Sequence, residues 1–147
     1  MTTLPDTLPG WGHDALLTTL ARADDARLKA FAENLIPALP EVEVLDNRTG
    51  LVMLPMRDTA QGTHFHLGEI LMSEARITAG GQDGYGMRRG RDLEAAMAMA
   101  LIDLAVALGL AKPACAAFLE AESAGQAETD RETLCRVEAT RVDMETF

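Results

Sequence analysis

The spacing of apolar and polar positions changes twice along the chain, and each change marks a different kind of element. Up to about residue 36 the period is helical. Leu28, Phe31, Ala32 and Leu35 recur at i, i+3, i+4 and i+7, which predicts one buried face of a helix over roughly 25 to 36. A shorter helix over roughly 13 to 22 precedes it, Asp24 is placed as the N-cap between them, and Pro37 and Pro40 end the pattern. From 41 to 90 the period falls to two. "EVEVL" alternates Glu41 and Glu43 with Val42 and Val44, a half-exposed strand. "DNRTG" carries turn chemistry, and "LVMLPM" predicts a further, more buried strand. Pro55 there has no N–H and belongs at an edge or a strand end. "THFHLGEILMSEARIT" predicts one long strand bulged at Gly68, and "YGMRR" a short one after the turn "AGGQDG". Short turns between about four strands imply an antiparallel sheet.

From Asp92 onward the pattern is helical again. Asp92 is placed as an N-cap, the helix runs to about Leu108, and Gly109 stops it. The stretch "AAMAMALIDLAVALGLA" is apolar on every side, with Asp103 its one charge. Such a helix is buried, either beneath the sheet or in a subunit interface, and Asp103 then needs a hydrogen-bonded partner. Pro113 suits the first turn of another helix. "SAGQ" loosens it, and "TDRE" from Thr129 matches a capping box for a separate last helix. The fold class this predicts is α+β: about four antiparallel strands packed with N-terminal and C-terminal helices. The 147 residues suit a single domain, with a flexible arm over 1–10, helices over 13–36, strands over 41–90 and helices over 92–147.

Composition narrows the partners. A net charge of −10 disfavours nucleic acid and anionic membrane surfaces, both of which select for basic patches. Only Lys29 and Lys112 among the 13 basic residues are lysine, so local basic sites would be built from arginine, the better bidentate partner of phosphate and carboxylate. Cys115 and Cys135 form no CxxC pair. The opening "MTTLPDTLPGWGHD" lacks a basic and an apolar region in signal-peptide order, and no apolar run reaches membrane-spanning length. These features predict a cytoplasmic protein with reduced thiols.

Candidate chemistry is sparse. "GQDGYGMRRGRD" sets glycines beside Arg88, Arg89 and Arg91, as a phosphate loop would. A dinucleotide fingerprint, however, follows a strand and opens a helix, whereas these glycines open a strand. Gly80 to Gly84 are therefore expected to turn a hairpin. Arg88 and Arg89 point to opposite faces, and Arg91 sits before a helix start where an anion is favoured. The arginines either make ion pairs within the assembly or await phosphate, which leaves a nucleotide-binding module as one alternative. His64 and His66 share a strand face with Glu69 nearby, the other alternative being a stand-alone metal-dependent or small-molecule enzyme. Two histidines make half a metal site, and no third ligand is evident, so no metal is assigned.

The order of these motifs is similar to that of the PhnG family, a subunit of the bacterial carbon–phosphorus lyase system. Thr49-Gly50-Leu51-Val52, Leu67-Gly68-Glu69, Gly90-Arg91-Asp92, Asp103 within "LIDLA", and Thr140-Arg141-Val142-Asp143 stand where that family has its own. Ser73 and Glu74 replace a threonine and an arginine, and the chain reads "METF" where the family continues with phenylalanines and a basic tail. The resemblance implies a subunit of α-D-ribose 1-methylphosphonate 5-triphosphate synthase, acting with PhnH, PhnI, PhnJ and PhnL. The assembled complex uses ATP and a phosphonate as substrates, releases adenine, and assigns the nucleosidase chemistry to PhnI. It implies no cofactor on this subunit and no catalytic residue. Glu69, Arg88, Arg89, Arg91, Asp103 and Arg141 are the interface or anion-contacting candidates, and self-association, as a homodimer or otherwise, is expected of the isolated chain.

Overall fold

One helix, apolar all round, decides the architecture. In the computed structural model of the chain, which describes residues 8–143, α3 (Leu93–Ala107) lies between an antiparallel sheet and a layer of helices. Ten of its fifteen residues are buried, so both sides of the helix need cover, and both receive it. Ala96, Ala100 and Leu104, spaced four apart, face the sheet and meet Ala75, Ile77 and Ala79. Ala95, Met99, Ile102 and Val106 face the other way, toward Leu16, Leu20, Leu28 and Leu35. The helix is thus the core beneath the sheet and is covered by its own chain, not an interface element as the sequence also allowed.

The helical layer is α1 (His13–Arg22), α2 (Asp25–Leu35) and the first half of α4 (Lys112–Ala139). Asp24 caps α2 by accepting the Arg27 N–H at 3.0 Å, and Asp92 caps α3 by accepting that of Ala95 at 3.0 Å. Phe31 and Phe118 stack with ring centroids 4.4 Å apart, joining α2 to α4.

The sheet has three strands in the order β1 (Glu43–Arg57), β2 (His64–Ala79) and β3 (Gln82–Arg89), one fewer than the turn signals implied. "DNRTG" makes no turn. Asn47 pairs with Ala75 and Thr49 with Ser73, so β2 holds these turn-prone residues extended, leaving only a bulge between Val44 and Asp46. Pairing overrides local preference here. The expected bulge near Gly68 is present: Leu54 pairs with Gly68 but Pro55 with His66.

Two further expectations are corrected. "SAGQ" and "TDRE" lie inside a single uninterrupted α4, where the Thr129 hydroxyl donates back to the Gly125 carbonyl at 3.0 Å instead of capping a new helix. The β2–β3 turn consists of Gly80 and Gly81 alone, with φ of 58° and 78°, the positive values that a two-residue hairpin demands. Gly84 and Gly86 lie within β3 and serve packing. A methyl group at Gly84 would stand 2.7 Å from Leu104 Cβ, and one at Gly86 would meet the Ala96 carbonyl, so α3 rests directly on the strand backbone. Of the expected N-terminal arm, residues 1–7 lie outside the described residues, as do 144–147, while Leu8 is buried in the helical core.

Candidate interaction surface

Beyond Ser73, β1 and β2 leave the body of the molecule. β3 ends where Arg89 pairs with Met72, and α3 covers β2 only through Ser73, Ala75, Ile77 and Ala79. Leu51–Arg57 and His64–Leu71 therefore form a two-stranded ribbon with no helix behind it among the described residues. The tip is closed by Asp58, whose carboxylate accepts the Ala60 and Gln61 N–H groups at 3.0 and 3.2 Å.

The ribbon carries apolar groups on both sides, the outer one throughout and the one facing α3 together with Glu69, His66, Arg57 and His64. Side chains alternate along a strand, so Leu51 and Leu71, paired, continue the side that faces α3, while Val52 with Ile70 and Met56 with Phe65 occupy the outer side. Leu51 is 64% exposed, Leu67 in the bulge 60%, Phe65 45% and Val52 42%. A soluble hairpin normally buries one side and wets the other, and a bare two-stranded ribbon is marginal in water. Each such side chain, once covered, contributes on the order of 1 kcal/mol. Leu134 and Val137, near the end of α4, are exposed as well.

The three arginines do different work. Arg88 is 8% exposed and reaches back from β3 to the end of α1, donating to the carbonyls of Leu20 and of Ala23, the latter at 2.7 Å, and pairing with Asp25 at 2.5 Å. It satisfies carbonyls that the helix end leaves open, where a cation also suits the helix dipole. Arg89 and Arg91 are exposed. The turn beside them is set by Ser73, whose hydroxyl donates to the Gly90 carbonyl at 2.6 Å and accepts the Asp92 N–H at 2.9 Å. Glu74 pairs with Arg48 of β1 at 3.3 Å. A shallow depression of about 210 Å³ lies there, lined by Arg48, Glu74, Met72 and Met87 among others.

Asp103 has the partner its burial requires. One carboxylate oxygen accepts the Tyr85 N–H at 2.9 Å, which would otherwise be open on the outer edge of β3; the other lies 2.9 Å from His13 Nε2. Burial pushes the Asp103 carboxyl above the usual carboxylate range, and the Tyr85 N–H and His13 pull it back part of the way. Nothing in the sequence pointed to His13, 90 positions away. The Asp92 carboxyl moves the opposite way, held low first by the Ala95 N–H and then by Lys29 at 2.9 Å.

The remaining candidates stay apart. His64, His66 and Glu69 are exposed on the ribbon, and Arg141 pairs with its neighbour Glu138 at 3.1 Å. Among the described residues no three His, Cys, Asp or Glu side chains come together as a metal site would require. Cys115 is buried and Cys135 exposed, both unpaired. No helix of the described residues is long and apolar enough to cross a membrane. The ribbon itself was readable only in part: "LVMLPM" and "FHLGEILM" are apolar without alternation, which marks strands covered on both sides but not that the cover is missing from the chain.

None of the curated proteins compared matches the chain. A family model described as phosphonate metabolism protein PhnG matches residues 13–147, nearly the whole chain, and takes in both the helical body and the ribbon. The chain belongs to the PhnG family of phosphonate metabolism proteins.

Proposed function

We propose that this chain is a non-catalytic subunit of a cytoplasmic carbon–phosphorus lyase core, acting with PhnH-, PhnI-, PhnJ- and PhnL-type partners. In the reaction assigned to that assembly a phosphonate oxygen bonds to C1′ of ATP as the bond to adenine breaks. Adenine leaves with a proton, and ribose 1-phosphonate 5-triphosphate remains. ATP and the phosphonate are substrates of the assembly, and no cofactor belongs to this subunit.

The observation that carries the reading is the ribbon: a projecting apolar element that the described residues do not cover, on a body whose buried side-chain polar atoms, among those residues, all have hydrogen-bond partners. Arg88, one of the three arginines beside the glycines, is committed to α1, and Asp103 to β3 and His13. The test is co-expression of the tagged chain with its PhnH-, PhnI- and PhnJ-type subunits. Stoichiometric co-purification is expected, together with complex activity within a few-fold of wild type when His64 and His66 are both replaced by Gln. Loss of activity by orders of magnitude in that double variant, with assembly intact, would overturn the non-catalytic assignment.

A further inference from the structure

We propose that the ribbon is gripped on both sides by an apolar cleft of a different protein, one with a basic rim, and not by a second copy of this chain. This rests on the assembly reading above and adds the element and the mode of docking.

Three observations select this occupant. First, each side of the ribbon carries exposed apolar side chains, Leu51 and Met53 on one and Val52 and Met56 on the other, with Glu69, His66, Arg57 and His64 joining the first side toward the tip. A flat surface would cover only one of them; a cleft covers both. Second, the edges are poor templates for an added strand. On β1 the unpaired Leu45 makes a bulge between Val44 and Asp46 and Pro55 has no N–H to offer, and on β2 Leu67 makes a bulge between His66 and Gly68; such devices protect an edge. The ribbon is thus built to be held by its faces. Third, charge excludes self-pairing and describes the partner. Between Gly50 and Leu71 there are one arginine, two acids and two histidines, so nearly all of the net charge of −10 lies elsewhere. Two such chains repel outside any apolar contact, while a basic rim around the cleft meets the acidic body that follows the ribbon in. Of two depressions among the described residues, one is edged by Glu41 and Glu43, and the other, beside Arg48 and Glu74, is lined in part by the ribbon's own Leu51 and Val52.

The experiment places one charge on each side, Leu51→Asp and Val52→Asp, with Leu51→Gln and Val52→Gln as milder versions. Circular dichroism and Tm establish that each variant folds, since neither side chain is part of the core. Binding is measured against the co-expressed PhnH-, PhnI- and PhnJ-type subunits, at two salt concentrations. Both Asp variants are expected to bind at least ten-fold more weakly and both Gln variants to be intermediate, with wild-type affinity falling as salt rises. If only one side matters, the ribbon lies on a flat surface and the cleft is wrong. If binding survives both substitutions, the ribbon is not the docking element, although the assembly reading stands. A wild-type dimer in sedimentation that both substitutions turn into a monomer makes the second copy the occupant and overturns the proposal. Failure of the wild type to bind these subunits at all overturns both readings.

Discussion

Arg88 and Arg91 lie three residues apart, and the structure gives them opposite energetic weights. Arg88 is buried against two helix-end carbonyls and Asp25, so removing it leaves buried acceptors open. Arg88→Met should cost about 2–4 kcal/mol in urea denaturation. Arg91 is exposed, and Arg91→Ala should stay within about 0.5 kcal/mol of wild type. Equal costs would mean that the β3 tie to α1 is misplaced. Asp103 gives a second residue-scale prediction, through pH. Its folded carboxyl binds a proton more tightly than the unfolded one, because burial disfavours the charge. The associated stabilisation is complete below the unfolded value near pH 4 and is lost as pH rises through the folded value. Asp103→Asn keeps an acceptor for the Tyr85 N–H but has no proton to lose. Its stability relative to wild type should therefore rise between pH 4 and pH 7, read from urea midpoints at several pH values. A relative fall over that range would contradict the buried-charge account. Asp92, with its carboxyl held low, has the reverse sign, its contribution being lost as pH falls below about 4.

Elements show what a one-dimensional pattern can and cannot carry. The buried face of α2, the all-round apolar character of α3 and both aspartate caps were legible, because helix periodicity and capping are local. The continuity of β1 through "DNRTG" was not, since it depends on Asn47 and Thr49 meeting β2 residues more than twenty positions away. The same blindness split α4. Its glycine and Thr129 resemble a break, yet Gln126 donates to the Thr19 carbonyl at 2.9 Å and Arg22 pairs with Asp130 at 2.7 Å, so α1 splints the helix across the weak point. Gly84 reads as a turn residue, and Gly86 as an ordinary strand position, because the reason for both glycines, the approach of Ala96 and Ala100, is tertiary. Gly125 is different. It is exposed, has no neighbour within 4 Å of an added Cβ, and is not in a left-handed conformation. Gly125→Ala should raise stability by about 0.5–1 kcal/mol with no change in assembly. A destabilised variant would show that α4 is broken there, as the sequence first suggested.

At the scale of the whole molecule, a compact body carries a ribbon that the body does not need. The body satisfies its buried polar side chains and covers its central helix, while the ribbon leaves apolar groups on two sides in water. Such an element suits the subunit role proposed above. Of this, the sequence showed the family resemblance. It placed the need for cover on α3, which the sheet and helices already supply, and the uncovered surface lies instead on β1 and β2. The most direct test of the account is reconstitution of the transfer reaction from purified PhnH-, PhnI-, PhnJ- and PhnL-type subunits with ATP and methylphosphonate, with and without this chain. The account predicts no adenine release by the chain alone, little ribose 1-phosphonate 5-triphosphate when it is omitted, and full formation when it is restored. Adenine release by the isolated chain, or full product formation in its absence, would contradict it.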